Sequence, residues 1–575
     1  MIDSSVLLIG GLVLIVLVAA FSRRTGIASP LILLVVGVAV GFLPGVPEVA
    51  IPHEWVLAGV LPPLLYASAV NLPAADIRRN IRSIASLSIV LVVVSTAVTG
   101  WLLFALFPRL NLFAAFAVGA VISPTDAVAA TSIARRLGLP ERVVAVLEGE
   151  SLANDATALV LLKSFIAAAT AGTVNVLLVG GQFLYAVVVA VAVGLIAGVA
   201  TVALRARLSD PVLTTTISFA VPFIAFLPAE HLGASGVLAT VVAGLVTGIG
   251  GSRRFDASQR ISDHTNWRTV QFVLEHAVFL AMGLEFRTLV ERLGRNGDSL
   301  VDALGLGLLL VLLLFVVRAL YIAAELPLLR HREGRLLERE HELEQRAQEL
   351  DRASPESGRD ADRKDRAERA LAEKRADLMF LRDNGLSWRG SLVVSWSGMR
   401  GVVTLAAAQS LPEDFEYRPL LVLIAFTVAV ASLLAFGGTL PALIRVTRIR
   451  GADAAARRNE VRELLDQVTV SSLTLLEDPQ QTVVRGKPAD PRVIEMLRDR
   501  FGRSPADAAE PEEHPDTGTD LREQYVVLRR RMRQAAREEL LDARAVGTFS
   551  TRAISAAQDI LDFDDAREDR IVDPL

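Results

Sequence analysis

"EGESLANDATALV", Glu148 to Val160, decides how this chain folds. It places Glu148, Glu150, Ser151, Asn154, Asp155 and Thr157 inside a stretch that otherwise reads Ala, Val, Leu, Ile and Phe for a membrane thickness on either side. A carboxylate at the bilayer centre costs roughly 2.5 to 3.5 kcal/mol even on the forgiving insertion scales, so intramembrane acids point to function. On a helical wheel Glu148, Ser151 and Asp155 follow i, i+3, i+7 and share one face, while Glu150, Asn154 and Thr157 follow i, i+4, i+7 on another. One face is suited to line an ion path, the other to tie the helix to its neighbours.

The surroundings support a membrane setting. The chain has 575 residues, 52% hydrophobic, with mean hydropathy +0.45, as expected where most residues live in lipid and the charges are segregated. A net charge of -4 gives no basic field for nucleic acid, and the absence of cysteine excludes disulfides, thiolate metal sites and Cys nucleophiles. Apolar windows of bilayer length predict about 13 spans between Val6 and Ile444, the first of them, Val6 to Phe21, read as a span and not a signal peptide. Arg23 and Arg24, Arg78 and Arg79, Arg135 and Arg136, and Arg253 and Arg254 fall in alternate loops, which makes those loops cytoplasmic, the N-terminus outside and the C-terminus cytoplasmic. The expected organisation is membrane spans 1 to 11 over residues 1–329, a charged cytoplasmic insert over 330–386, spans 12 and 13 over 387–448, and a cytoplasmic tail over 449–575. In that tail, helices are expected around Glu460 to Leu476 and Leu521 to Leu541, with a Pro/Asp/Glu-rich break near Pro505 to Thr519.

Two spans carry helix breakers. In "VISPTDAVAA" Pro124 removes a backbone donor and is expected to push Ser123 out of helical geometry beside Thr125 and Asp126. In "SWSGMRGVVTLAAAQSLP" Gly398 and Gly401 flank Arg400. Broken helices survive in lipid only where they line a cavity or are buried by protein, and a pair of them in corresponding halves points to a transporter site at the midplane. The fifth and twelfth spans correspond if spans 1 to 6 and 8 to 13 are repeats.

These residues resemble the monovalent cation/proton antiporters of the sodium/proton exchanger type, in their bacterial NhaP-like branch. The resemblance rests on "SPTDAVA" at Ser123 to Ala129, "EGESLANDATALV", "PPLLYASAVNL" at Pro62 to Leu72 and "SWSGMRGVVTLA" at Ser395 to Ala406, and covers all the spans in order. It implies an all-α polytopic membrane protein with two inverted six-helix repeats, crossed broken helices, a second domain that forms a homodimer, and elevator-like alternating access. It also implies exchange of Na+, Li+ or K+ for protons in the plasma or inner membrane, electroneutral at one proton per cation, with no cofactor and no nucleic acid. By position, Asp155 takes either a proton or the cation, Ser151 and Thr125 supply oxygen ligands, and Asn154 and Asp126 hold the broken helices together beside the site. Glu150 is expected to pair with Arg400 as a buried structural bridge.

Two positions depart from the family pattern. Ala67 stands where an acid is usual, and Glu275 where a neutral amide is usual. The expectation is that Glu275 keeps a cation funnel acidic and that Glu148 is a charge at its entrance. The competing expectation makes Glu275 and His276 an ordinary hydrogen-bonded pair. Rival functions are a passive cation channel and an intramembrane aspartyl protease; the Tyr-Asp and Gly-x-Gly-Asp motifs of the latter are absent around Asp126 and Asp155.

Overall fold

The computed structural model describes residues 4–338 apart from 26, 45, 47–51, 53, 108, 172–175, 209 and 296–298, a scatter of positions between 345 and 380, residues 387–449 apart from 413, 414 and 416, and residues 454–502 and 519–572. Most of the charged insert and the Pro/Asp/Glu-rich break lie outside the described residues. Contacts divide the chain into two units, Met1–Arg335 with Asn384–Gly451, and Leu336–Asp383 with Ala452–Leu575.

The first unit is helical. It comprises α1 (Ser4–Thr25), α2 (Ser29–Gly41), α3 (Trp55–Val70), α4 (Ala75–Leu106), α5 (Leu112–Ile122), α6 (Ala127–Arg136) and α7 (Glu141–Ala171). It continues with α8 (Val176–Arg205), α9 (Pro211–His231), α10 (Gly236–Arg254), α11 (Ala257–Arg295) and α12 (Leu300–Glu338). It ends with α13 (Trp388–Trp396), α14 (Val402–Gln409) and α15 (Arg418–Thr447). Among the described residues eight helices are long and apolar enough to cross a membrane, with α2, α3 and α5 shorter and apolar. Large side chains such as Val16, Leu17, Leu184, Ile196, Leu312 and Leu320 face outward. An outward apolar surface of that extent suits hydrocarbon and not water.

Local chemistry sets the helix starts. Asn111, Asp210, Ser235 and Ser387 each accept a hydrogen bond from a backbone N–H in the first turn of α5, α9, α10 and α13. In lipid no water substitutes for those partners, so the caps matter more than at a wet surface. Helix α11 starts well before its apolar stretch, and single side chains of its polar first turns are tied to neighbouring helices. Its Trp267 Nε1 donates to Ser218 at 2.7 Å and its Asp263 pairs with Arg205.

The helices of this unit pack in sets. Helix α11 lies along α2 and α10 along α8 and α3, while α5 packs on α4 and α7. A Cβ on Gly283 would come within 2.9 Å of the Gly37 Cα, so α2 and α11 touch backbone to backbone. Helix α15 is buried almost all round between Leu420 and Ala429, which puts it inside the structure and not on the lipid face.

The second unit has its own small cores. Helices α16 (Ala454–Thr474), α18 (Thr519–Val546) and α19 (Thr551–Val572) bury Leu464, Val468, Leu540 and Ile554 together. A two-stranded antiparallel hairpin, β1 (Val483–Val484) and β2 (Lys487–Pro488), pairs Val484 with Lys487 and packs near α17 (Pro491–Gly502) through Val484, Val493 and Leu497.

Candidate functional site

Both expected interruptions are present. Helix α5 ends at Ile122 and α6 begins at Ala127, and α13 ends at Trp396 with α14 beginning at Val402. Ser123, contrary to expectation, keeps helical dihedrals (φ -75°, ψ -40°), so the break falls at residues 124–126. Its hydroxyl donates to the Gly119 carbonyl at 2.7 Å, which anchors the last turn; the strain before a proline disfavours helix without forbidding it.

The two interruptions touch. The Asp126 N–H donates to the Met399 carbonyl at 2.7 Å, and any Cβ on Gly401 would collide with the Asp126 side chain. Glycine is therefore required at 401 for the close approach of the two segments. Arg400 is 2% exposed. Its Nε donates to the carbonyl of Ile122 at 3.2 Å, its Nη1 to the carbonyl of Gly398, and its backbone N–H to the Ser432 hydroxyl at 2.9 Å. The guanidinium thus satisfies carbonyls that the interrupted helices leave free, at the negative end of the α5 dipole.

Helix α7 presents its two polar faces to different neighbours. Glu148, Ser151 and Asp155 line a cavity of about 650 Å³, together with Asp126, Glu275, Gln271, Ser68, Asn71 and Val403. Asp155 is buried at 6% exposure and lies on the cavity wall with Asp126. The other face is a clamp. The Asn154 Nδ2 donates to the Thr125 carbonyl at 3.1 Å and to the Thr125 hydroxyl at 2.8 Å, and that hydroxyl donates to Glu150 at 2.9 Å. Thr157 donates to the Ala153 carbonyl of its own helix at 3.0 Å and, among the described residues, ties nothing across.

Two expected roles change. Glu150 pairs with Arg318 of α12, not with Arg400: Arg318 Nη2 donates to Glu150 Oε2 at 2.8 Å and Nη1 to Oε1 in a bidentate bridge. Arg318 also donates to the Val394 carbonyl at 2.9 and 3.1 Å, so one cation joins α7, α12 and α13. The planar guanidinium fork matches a carboxylate in this way, whereas the donors of Arg400 are occupied by carbonyls. Thr125, expected as a cation ligand, does not line the cavity; its hydroxyl is shared between Glu150 and Asn154. The reason is that Thr125 faces the clamp side of α7, away from Ser151 and Asp155.

Of the two departures from the family pattern, only Glu275 lines the cavity. It accepts from Gln271 Nε2 at 2.7 Å. His276 is not its partner: the imidazole Nε2 lies 2.8 Å from the Ser29 hydroxyl and Nδ1 lies 2.7 Å from the Phe272 carbonyl. Ala67 is fully buried, and its neighbours Ser68 and Leu64 line the cavity on α3. Glu148 stands on the wall, paired with Arg135 at 2.5 Å and partly exposed. Sequence reasoning passed over Arg318. The signal was present, since it is the one cation between Leu300 and Tyr321, where a charge in lipid demands a partner.

Comparison with known proteins bears on the family and the fold. A family model described as "Sodium/hydrogen exchanger, transmembrane" matches residues 12–446. An uncharacterised Na+/H+ exchanger of Mycobacterium bovis is 29% identical over 470 residues, covering 79% of this chain and 78% of its own length. A Na+/H+ antiporter of Aphanothece halophytica is 27% identical over 447 residues, covering 77% and 73%. Among solved structures, the sodium proton antiporter MjNhaP1 of Methanocaldococcus jannaschii at pH 8 is alike in fold with a TM-score of 0.55. It is 16% identical, and the match covers 75% of this chain and 95% of that one.

Proposed function

This chain belongs to the sodium/hydrogen exchanger family, and from that premise we propose that it binds a proton or a cation in turn at Asp155 and carries them in opposite directions by alternating access. At the coarser level it is a multi-pass membrane antiporter of monovalent cations and protons, a secondary transporter and not an enzyme. The observation that carries the finer reading is the cavity wall, where Asp155, Ser151 and Asp126 lie together beside the contact between the two broken helices.

The chemistry follows from the groups present. A hard monovalent cation is held by oxygen ligands, which the Asp155 carboxylate and the Ser151 hydroxyl supply. A buried carboxylate is poorly tolerated bare, and either a proton or a cation neutralises it. Exchange is obligatory if only the neutralised site crosses. Asn154 in place of a second acid beside Asp155 supports one proton per cation and an electroneutral cycle. Glu148 is paired with Arg135 and Arg268 also lines the wall, so the negative charge of the approach comes from Glu275 together with Asp126 and Asp155, and it concentrates cations electrostatically. Asp126, Asn154, Glu150, Arg318 and Arg400 hold the crossing rigid. The same reading gives 13 spans in two inverted repeats, a homodimer, an outside N-terminus and a cytoplasmic C-terminus, with the cavity open to the cytoplasm.

Everted vesicles under an imposed proton gradient test it. Added sodium, lithium or potassium should dissipate the gradient without current in the native protein, and Asp155→Asn should remove that response. Cation-driven proton flux that persists in Asp155→Asn overturns the role of Asp155, and a voltage-driven current marks a channel.

A further inference from the structure

Three helices leave the cavity in the same direction. On α11 the last lining residue is Phe279, on α14 it is Val403 and on α7 it is Asp155. Six residues on from Phe279 and from Val403, about 9 Å of helix in each case, stand Glu285 and Gln409, and the Gln409 amide donates to the Glu285 carboxylate. Eight residues on from Asp155, about 12 Å of helix, stands Lys163, whose Nζ lies 2.6 and 2.8 Å from the two carboxylate oxygens of Glu230 at the end of α9. Between these bridges and the cavity lies an apolar layer that includes Leu280, Met282, Leu405 and Ala408, all buried.

Each bridge joins the same two bundles. Gln409 and Lys163 belong to helices that carry the crossing and the Asp155 face, whereas Glu285 and Glu230 belong to the α9–α11 set. Glu285 is 4% exposed, an acid buried outside the cavity that Asp155 lines. Such a group is retained at a cost; Arg292 of the same helix acts on it electrostatically, and the Gln409 amide is a neutral cap that can be withdrawn. On the cavity side the corresponding acid of the same helix is Glu275, likewise held by a glutamine amide.

We propose that Glu285 is the acid of the second access path, the counterpart of Glu275 on the opposite side. In the state seen, Gln409 caps it and the Lys163–Glu230 pair closes the rim. When the Asp155 bundle moves, Gln409 and Lys163 move with it, which uncovers Glu285 at the mouth of the newly opened side. The Lys163–Glu230 pair is half-exposed, and exposed pairs contribute only about 0 to 1 kcal/mol, a strength suited to a contact broken at every cycle. The inference rests on alternating access at Asp155.

The absence of cysteine makes the test clean. Cation KM is measured from each side, in everted and right-side-out vesicles, for Glu285→Gln. A several-fold rise on the side opposite the cavity, with the cavity-side KM unchanged, is expected; equal effects on both sides, or none, overturn the proposal. In parallel, Met282→Cys is introduced alone and together with Gln409→Ala or Lys163→Gln. Labelling by a membrane-impermeant maleimide from the side opposite the cavity should rise when either bridge is removed. Unchanged labelling with exchange intact sinks the closure and leaves the role of Asp155 standing, whereas exchange that survives Asp155→Asn sinks the role of Asp155 itself.

Discussion

Two faces of α7 carry acids into the interior with opposite outcomes. Glu150 meets a bidentate guanidinium and a hydroxyl, whereas Asp155 faces a cavity with Ser151 and Asp126 on its wall. The first acid is neutralised by protein, and in the proposed cycle the second is neutralised in turn by a proton or a cation. A buried pair of ions contributes little net stability, but removing one partner strands the other, so the Glu150 side acts as a fixed scaffold. Exchange needs the reverse, an acid whose neutralising partner can leave.

Substitutions that treat the faces alike break the comparison. The largest effect is expected for Asp155→Asn, in which cation-driven proton flux in vesicles falls to the level of empty vesicles while the folded yield is unchanged. Glu150→Gln comes next and acts on stability: stranding Arg318 should cost about 3 to 5 kcal/mol, read as a fall in the melting temperature in detergent, with cation KM unchanged in the protein that survives. If Glu150→Gln instead raised KM without loss of stability, the division of labour between the faces would be wrong. Asn154→Ala removes the amide that holds Thr125 and should cost about 1 to 2 kcal/mol of stability, again read by thermal unfolding. On the proposed ligation Ser151→Ala removes one oxygen from the cation, about 1 kcal/mol, and should raise cation KM several-fold with the melting temperature unmoved. Thr157→Val should change neither quantity beyond about 0.6 kcal/mol, because its hydroxyl bonds only its own helix.

The two sides of the bundle sharpen the same lesson. On the cavity side Glu275 and Glu148 share the wall with Asp126, while beyond the cavity Gln409 of the broken helix itself donates to Glu285. In the proposed cycle the amide and the acid move relative to one another, so their contact depends on which side is open.

Some of this was legible in one dimension. Pro124, Gly398 and Gly401 announce the interruptions because they act on their own backbone, and the spacing of Glu148, Ser151 and Asp155 gives a shared face because helical periodicity is local. The partner of Glu150 was not legible. Arg318 and Arg400 both lie in apolar windows and offer the same fork; which of them reaches Glu150 depends on how α12 and the break between α13 and α14 are placed against α7. The same holds for Thr125, whose hydroxyl has a ligand's chemistry but faces the clamp. Glu285 and Gln409 are separated by more than a hundred residues, and no local pattern links them.

The sequence by itself determined a helical membrane protein with two broken helices and a buried acid, because hydropathy, helix breaking and face periodicity are properties of short stretches. Only the tertiary structure decided which acid is tied to a guanidinium, which faces the cavity and which is capped on the far side. Those choices depend on the azimuth and depth of helices packed against one another, and at hydrogen-bonding range a shift of one turn exchanges one partner for another.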